Sequence, residues 1–181
     1  MFKIFPATCL LLALMGTPRC LSAGDSPNLL SNGDFTQWVA SEGGEQPSRW
    51  GVYAKDDVRK AITIRHGQRD GKEALVVDSP RGGYNIYTSS VAETPGRHTF
   101  SVKISSRKKA RVTLDIRLPQ EGEENWLALD HVTSDHELSP DEETTLTAAF
   151  ETVHPGQKVV VYLKVRLNTE IVLTEASMTH D

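Results

Sequence analysis

Apolar and polar residues alternate with a period of two along much of the chain. The alternation is strictest over 100–105, 111–118 and 159–167, where Phe, Val, Ile or Leu occupies every second position. Between these apolar positions lie mostly Ser, Thr, Lys, Arg and Asp. Such a pattern is typical of a β-strand that buries one face and exposes the other.

Shorter apolar or alternating stretches predict further strands, and turn-forming residues separate them. These strands are predicted at 50–53, 61–65, 74–77, 84–91, 126–129, 145–153 and 171–178. Pro95-Gly96 and Pro155-Gly156 mark two of the turns. Helical periodicity is missing, although one helical turn capped by Ser139 could precede the strand at 145–153. About eleven strands without repeats or linkers predict a single all-β domain, an antiparallel sandwich or barrel.

The octet Asn28–Phe35 begins this series of strands. Leu29 and Leu30 predict a short strand that runs into a tight turn at Asn32-Gly33-Asp34, where Gly33 can adopt a positive φ. Two tryptophans follow, Trp38 and Trp50, and a polar, glycine-containing stretch at 40–48 separates them. We expect both rings to pack at the edge of the core.

The first 23 residues predict a secretory signal peptide. Met1–Ala23 has a basic start at Lys3, an apolar stretch and a small-residue end. The apolar stretch is too short to span a bilayer, so we expect no membrane span and a secreted protein, extracellular or periplasmic. Both cysteines, Cys9 and Cys20, lie in this leader. The predicted mature domain, 24–181, therefore has no disulfide and no thiol chemistry.

The charge of the chain argues against a nucleic-acid partner. The whole sequence has a net charge of −4, and the predicted mature chain keeps 18 basic residues against 24 acidic ones, a net charge of −6. Basic residues gather at 107–109 and 111, which we interpret as a solvated turn between two strands. An acidic surface is not steered toward phosphate backbones.

The order of these features resembles the CenC-type carbohydrate-binding modules of the galactose-binding-like superfamily. The resemblance covers nearly the whole mature chain. Its matching stretches are Asn28–Phe35, Trp50, the Pro95-Gly96 turn with His98–Ile104, Leu138–Glu142 with Ala149-Phe150, and Ile171–Met178. It implies a jelly-roll β-sandwich that is secreted, binds polysaccharide and does not alter it.

The resemblance also implies a structural calcium ion near the first and last strands. Such modules carry paired aspartates at the position of Thr174-Glu175, where this chain has one acid. Asp34 and Glu175, with backbone carbonyls, are therefore the expected ligands, because calcium takes six to eight oxygens. The alternative is that Asp34 only caps a turn.

A sugar site needs exposed aromatic rings beside polar side chains, since sugars present both apolar C–H faces and hydroxyl groups. Outward positions of neighbouring strands can bring such side chains together. Tyr84 and Tyr87 fall on opposite or offset faces of their strand, so at most one of them can serve. The predicted ligand-binding residues are Tyr87, Asp115, Arg117, Trp126, Tyr162 and Arg166, with Asn85 and Lys164 in the same outward series. A solvated face held by cross-strand salt bridges is the simpler alternative.

Two other functional classes remain open on the sequence alone. A glycosidase needs two carboxylates across a cleft, and acids such as Asp115 or Glu151 exist, but no motif distinguishes them. We therefore expect no catalytic residues. A structural or adhesive surface protein could use the same sandwich without binding sugar. Two or more exposed rings on one face would favour the sugar-binding class, whereas paired charges without an exposed ring would favour the structural class.

Overall fold

A computed structural model describes residues 27–41, 44–120, 130–166 and 169–181. The predicted leader at 1–23, and with it both cysteines, lies outside these residues. The strand predicted at 126–129, which contains Trp126, also lies outside them. Within the described part of the chain, no helix is both long and apolar enough to cross a membrane.

The described residues form twelve strands and one short helix. Their bounds are β1 Trp38–Ser41, β2 Gly44–Pro47, β3 Trp50–Tyr53, α1 Asp56–Arg59, β4 Thr63–Arg69, β5 Lys72–Asp78, β6 Tyr84–Ala92, β7 Gly96–Ser106, β8 Ala110–Arg117, β9 His131–Leu138, β10 Thr144–Thr152, β11 Gln157–Val165 and β12 Glu170–His180.

Ten of these strands form two five-stranded antiparallel sheets that pack as a jelly-roll β-sandwich. Sheet I has the strand order β10-β7-β12-β5-β4, and sheet II has the order β3-β6-β11-β8-β9. The remaining hairpin, β1–β2, is a separate two-stranded sheet. Apart from the consecutive pairs β4–β5 and β8–β9, neighbours in each sheet come from distant parts of the chain, so long-range pairing defines most of the fold.

The core lies between the two sheets and is built from the alternating residues that the sequence indicates. Phe100, Ile104, Leu114 and Leu163 are fully buried, whereas Ser101 and Lys103, at the alternate positions of β7, are partly exposed. Burial of this apolar surface is the main source of stability in a domain of this size. The all-β prediction and the predicted faces of the long strands are therefore confirmed.

The opening octet adopts a different structure from the predicted one. Leu29 and Leu30 form no strand, although the Leu29 amide donates a hydrogen bond to the Met178 carbonyl at 2.8 Å. Asn32 takes the left-handed conformation (φ 58°), where Gly33 was expected to do so. Glycine is needed at position 33 for another reason, because a Cβ there would lie 2.1 Å from the Ala176 carbonyl oxygen of β12.

Several polar elements were missed or misassigned from the sequence. The stretch at 40–48 contributes to the β1–β2 hairpin, and β9 forms in a polar stretch for which no strand was predicted. The four-residue helix α1 was not predicted, and the possible helical turn after Ser139 does not form. Each of these segments has few apolar residues, so its structure depends on pairing with neighbours more than on burial of its own side chains.

The two tryptophans differ in burial. Trp50 is buried, its indole Nε1 donates to the Asn32 carbonyl at 3.2 Å, and its ring packs 5.0 Å from that of Phe35. Trp38 is partly buried, donates from Nε1 to the Phe35 carbonyl at 2.7 Å and packs against the core. Both therefore act as packing residues around the opening octet, as expected.

Candidate functional site

The outward side of sheet II carries most of the predicted ligand-binding residues. Register places Tyr87 of β6 opposite Tyr162 of β11, and Tyr162 opposite Asp115 of β8. These three residues therefore form one row across three neighbouring strands. We call the outward surface formed by Tyr87, Tyr162, Asp115, Arg117 and Lys164 the tyrosine face.

Two aromatic rings form the centre of the tyrosine face. The Tyr87 and Tyr162 ring centroids are 5.9 Å apart and the ring planes are inclined by 38°. Tyr87 is 39% exposed, whereas Tyr162 is partly buried. Burial raises the pKa of the Tyr162 hydroxyl, with Tyr87 and Asp115 adding to the effect and Arg117 opposing it. The phenol is therefore neutral near pH 7 and can donate a hydrogen bond.

The Tyr87 ring packs over the backbone of Gly51 in β3. Gly51 pairs with Tyr87 across the sheet, and a Cβ on Gly51 would lie 2.5 Å from the Tyr87 Cζ. The ring therefore covers the backbone of the edge strand, which only a residue without a side chain permits. Tyr84, on the other side of β6, is buried and donates from its hydroxyl to the Val77 carbonyl at 3.0 Å. Only Tyr87 of this pair faces outward, as the alternation predicts.

A buried carboxylate holds two cations beside the rings. Asp115 is 1% exposed, and its Oδ2 accepts from Arg117 Nε at 3.0 Å and from Lys164 Nζ at 2.5 Å. The Arg117 guanidinium lies 5.0 Å from the centroid of the Tyr162 ring, which is a cation–π contact. Oδ1 of Asp115 is buried and has no hydrogen-bond partner among the described residues. Asp115 thus positions the polar groups around Tyr162.

A cleft of about 360 Å³ adjoins the tyrosine face at the end of β11. It is open to solvent, and Arg166, one of the predicted ligand-binding residues, lines it. The residues that line it are Tyr53, Ala54, Lys55, Gly83, Tyr84, Asn85, Lys164, Val165 and Arg166, and we call it the basic cleft. Lys164 belongs both to this cleft and to the tyrosine face.

Among the residues of the basic cleft that sequence reasoning missed, Tyr53 and Lys55 have side chains suited to binding a ligand. Tyr53 is 59% exposed, and Lys55 follows it just beyond the end of β3. Alternation along β3 could have identified Tyr53, because Trp50 and Val52 point inward and Gly51 and Tyr53 outward. Lys55 carries no such signal, because it lies outside any strand. Trp126, the remaining predicted ligand residue, lies outside the described residues.

Ion pairs also occur on this side of sheet II, as the alternative interpretation of the face expects. Asp135 of β9 accepts from Arg111 Nη2 at 2.7 Å and from Thr113 Oγ1 at 2.5 Å. Both hydrogen bonds lower the pKa of the Asp135 carboxyl, and the bond from Thr113 makes the larger contribution. The face therefore combines one exposed ring, Tyr87, and one partly buried ring, Tyr162, with paired charges. It has features of both classes distinguished from the sequence, and the exposed ring separates it from a surface of paired charges alone.

The expected calcium ligands lie on the other side of the molecule. Asp34 Oδ1 accepts from the Thr36 hydroxyl at 3.0 Å, as in a capped turn. Glu175 Oε2 accepts from Lys103 Nζ at 2.8 Å and Lys72 Nζ at 3.0 Å, and these bonds lower the pKa of Glu175. Two ammonium groups on one carboxylate do not fit a calcium ligand. Among the described residues no three His, Asp or Glu side chains are grouped to hold a metal ion.

Solved structures with this fold include several carbohydrate-binding modules. TmCBM61, in complex with β-1,4-galactotriose, is similar over 86% of this chain and 100% of its own, with 14% identity and a TM-score of 0.63. A CBM4 structure is similar over 83% of this chain and 99% of its own, with 16% identity and a TM-score of 0.54. The CBM22-1 xylan-binding domain of Paenibacillus barcinonensis Xyn10C is similar over 87% and 97%, with 10% identity and a TM-score of 0.56.

These similarities concern the fold, which is that of carbohydrate-binding modules. No protein-family model matches the chain, and no curated protein matches its sequence.

Proposed function

We propose that this protein is a secreted, non-catalytic module that binds polysaccharide on the tyrosine face. The observation that carries the proposal is the pairing of Tyr87 with Tyr162, because two neighbouring rings on a sheet surface offer apolar area to the C–H faces of sugars. The likeness to solved carbohydrate-binding modules supports the same function, and the order of sequence features supports the CenC type among them.

The polar groups of the face suit the hydroxyl groups of a sugar. The Tyr162 hydroxyl is neutral, and Arg117 and Lys164 supply N–H donors that Asp115 holds in place. Donors that are already positioned lose little conformational freedom when a ligand binds. Binding therefore needs no large rearrangement of the sheet.

The positions of Asp115 and Glu151, the two acids considered from the sequence, favour binding over hydrolysis. Asp115 is buried and engaged by two cations, and Glu151 belongs to β10 of sheet I. A glycosidase places two carboxyl groups on opposite sides of one scissile bond, about 5–10 Å apart. Asp115 lies on the outward side of sheet II and Glu151 is exposed on the outward side of sheet I, so these two acids do not face one cleft and form no such pair.

A structural or adhesive surface protein is the second candidate, and the ion pairs of sheet II favour it. The ion pair of Arg111 with Asp135 joins β8 to β9. The ion pair of Lys109 with Glu137 joins the turn before β8 to β9. Exposed pairs of this kind contribute little to stability, about 0–1 kcal/mol each. They are compatible with either function, whereas sugar binding gives the exposed Tyr87 ring a role that ion pairing does not.

The decisive experiment is retention of the purified chain on a panel of insoluble and soluble polysaccharides. We expect retention on one class of polymer, unchanged chain length of that polymer after long incubation, and loss of retention when Tyr162 is replaced by alanine. No retention on any polymer would overturn the sugar-binding proposal and favour the structural one. Shortening of the polymer would overturn the non-catalytic part alone.

A further inference from the structure

The basic cleft has a charge opposite to that of the chain as a whole. Three of its lining side chains, Lys55, Lys164 and Arg166, are cationic, and none of its lining residues is acidic. The complete sequence carries a net charge of −4. The exposed Asp56 and Asp57 of α1 are close in sequence but do not line the cleft. The local positive charge therefore comes from the placement of these three residues and not from composition.

Two of the three cations lack a carboxylate partner among the described residues. Lys164 is paired with Asp115, but neither Lys55 nor Arg166 has an acidic group within 4 Å in this part of the chain. Arg166 is exposed, and its Nη2 donates a long hydrogen bond, 3.4 Å, to the Thr113 hydroxyl. Arg166 does interact electrostatically with the Asp135 carboxylate, but that group is already hydrogen-bonded to Arg111 and Thr113.

The cleft also has the dimensions and the other groups that a sugar unit needs. Its volume, about 360 Å³, falls in the range of small-molecule sites, about 300–1,000 Å³. The exposed ring of Tyr53 can lie against an apolar sugar face, and the amide of Asn85 can bond hydroxyl groups. Lys164 joins the cleft to the tyrosine face, so one polysaccharide chain can occupy both.

We propose that the basic cleft binds a sugar unit that bears a carboxylate, so that the preferred ligand is a uronic acid polymer. This inference rests on the proposed function and adds the chemical class of the ligand. The planar guanidinium of Arg166 can make two parallel hydrogen bonds to a carboxylate, and Lys55 adds a second positive charge. The neutral rings of the tyrosine face hold the adjoining units.

The test compares polymers that carry a carboxylate, no charge or a sulfate group. Retention of the full chain is measured on immobilised polygalacturonate, on the same polymer after complete methyl esterification, on neutral galactan and on a sulfated galactan, at about 50 mM and about 500 mM sodium chloride. The variants are Arg166→Gln, Lys55→Gln and, as matched control, Lys158→Gln. Lys158 is an exposed lysine at the opposite end of β11, so its substitution makes the same change in net charge.

We expect tight binding to polygalacturonate, which should weaken at high salt and be lost when the carboxylates of the polymer are esterified. Arg166→Gln should weaken this binding by about tenfold and Lys55→Gln by about threefold, as loss of one charge-assisted hydrogen bond and one exposed charge predicts. Lys158→Gln should bind as the original chain does. Thermal unfolding of each variant checks that the fold is retained.

Three outcomes would overturn the inference, and they can be told apart. Equal retention on the esterified polymer or on neutral galactan would exclude charge recognition but leave the proposed polysaccharide binding intact. Equal retention on the sulfated polymer would exclude selectivity for a carboxylate. No retention on any of these four polymers would overturn the inference and leave the proposed function to be decided on the wider panel of polysaccharides.

Discussion

Tyr87 and Tyr162 are 75 residues apart in sequence but directly opposite each other on β6 and β11, with ring centroids separated by 5.9 Å. Asp115 follows in the same row on β8 and holds Lys164 and Arg117 beside the Tyr162 ring. One row across three strands thus combines aromatic area with positioned donors.

Replacement of Tyr162 by alanine should weaken polysaccharide binding by about tenfold or more, because loss of a stacked ring removes about 1–3 kcal/mol of contact energy. The Arg117 guanidinium would also lose its cation–π partner. Isothermal titration with a soluble oligosaccharide measures the effect. Thr147→Ala, an exposed position on β10 of sheet I, is the control and should change nothing. Equal binding by Tyr162→Ala and the original chain would place the site elsewhere.

Replacement of Asp115 by alanine should lower the free energy of unfolding by about 2 kcal/mol, since Arg117 and Lys164 would both lose their shared carboxylate. Both cations are partly exposed and can still reach water, so the cost is below that of a fully buried pair. Asp115→Asn keeps an acceptor and should cost less. Urea unfolding curves give both values. If the two variants were equally stable, Asp115 would not act as the positioning residue.

Replacement of Gly33 by alanine should lower the free energy of unfolding by about 2–4 kcal/mol, because its Cβ would overlap the Ala176 carbonyl oxygen at 2.1 Å. The backbone hydrogen bond from the Ala176 amide to the Gly33 carbonyl, 2.7 Å, would be lost or lengthened. Thermal unfolding measures the change. Gly82→Ala is the matched control, since its new Cβ would meet only a Val58 methyl group at 3.4 Å. Similar melting temperatures for the two variants would contradict the close packing of the octet on β12.

Stability should fall as the pH is lowered through about 6.5, and His98 should contribute to this fall. His98 is fully buried, and burial lowers its pKa below the ordinary value of 6.5. Between its folded pKa and 6.5 the unfolded chain binds a proton that the folded chain does not, so acidification favours unfolding. The contribution is complete above pH 6.5 and declines below it, by at most about 1.4 kcal/mol per pH unit.

Urea midpoints at several pH values between about 5 and 8 measure this dependence in the original chain and in His98→Gln. The neighbours of His98 are Phe150 and His180, with ring centroids at 5.4 and 4.9 Å, and Thr152, whose hydroxyl lies 3.0 Å from Nε2. The variant should be less stable overall but less sensitive to pH. An identical slope in both proteins would assign the pH dependence to other groups.

Calcium binding stays a prediction from the resemblance, and the contacts of Glu175 lead us to expect no stabilisation by the ion. Lys72 and Lys103 already hold this carboxylate. The melting temperature should therefore be equal in a chelator and in millimolar calcium. A higher melting temperature with calcium, abolished by Asp34→Ala, would show that the lysines give way and that the expected site exists.

Much of the fold could be predicted from the sequence because burial dictates the period of two. β3 was predicted with its correct ends, and β6, β7, β8, β10, β11 and β12 were predicted to within a few residues. The polar strand β9 was not, since its residues before the buried Leu138 alternate only between exposed and half-buried positions. The hairpin β1–β2 was not predicted either, because its residues are also mostly exposed. Strands of this kind form because a neighbour offers unpaired backbone groups, which local sequence does not reveal.

The sequence by itself determined which side chains of each long strand face outward. The outward side chains identified in this way include those of Tyr87, Asp115, Arg117 and Tyr162. Only the tertiary structure decided that these residues meet, because the order β6-β11-β8 joins strands from separate parts of the chain. It also placed Lys55, which belongs to no strand, beside Arg166. Alternation follows from one strand and its buried face, whereas the neighbours of a strand depend on how both sheets together cover the core.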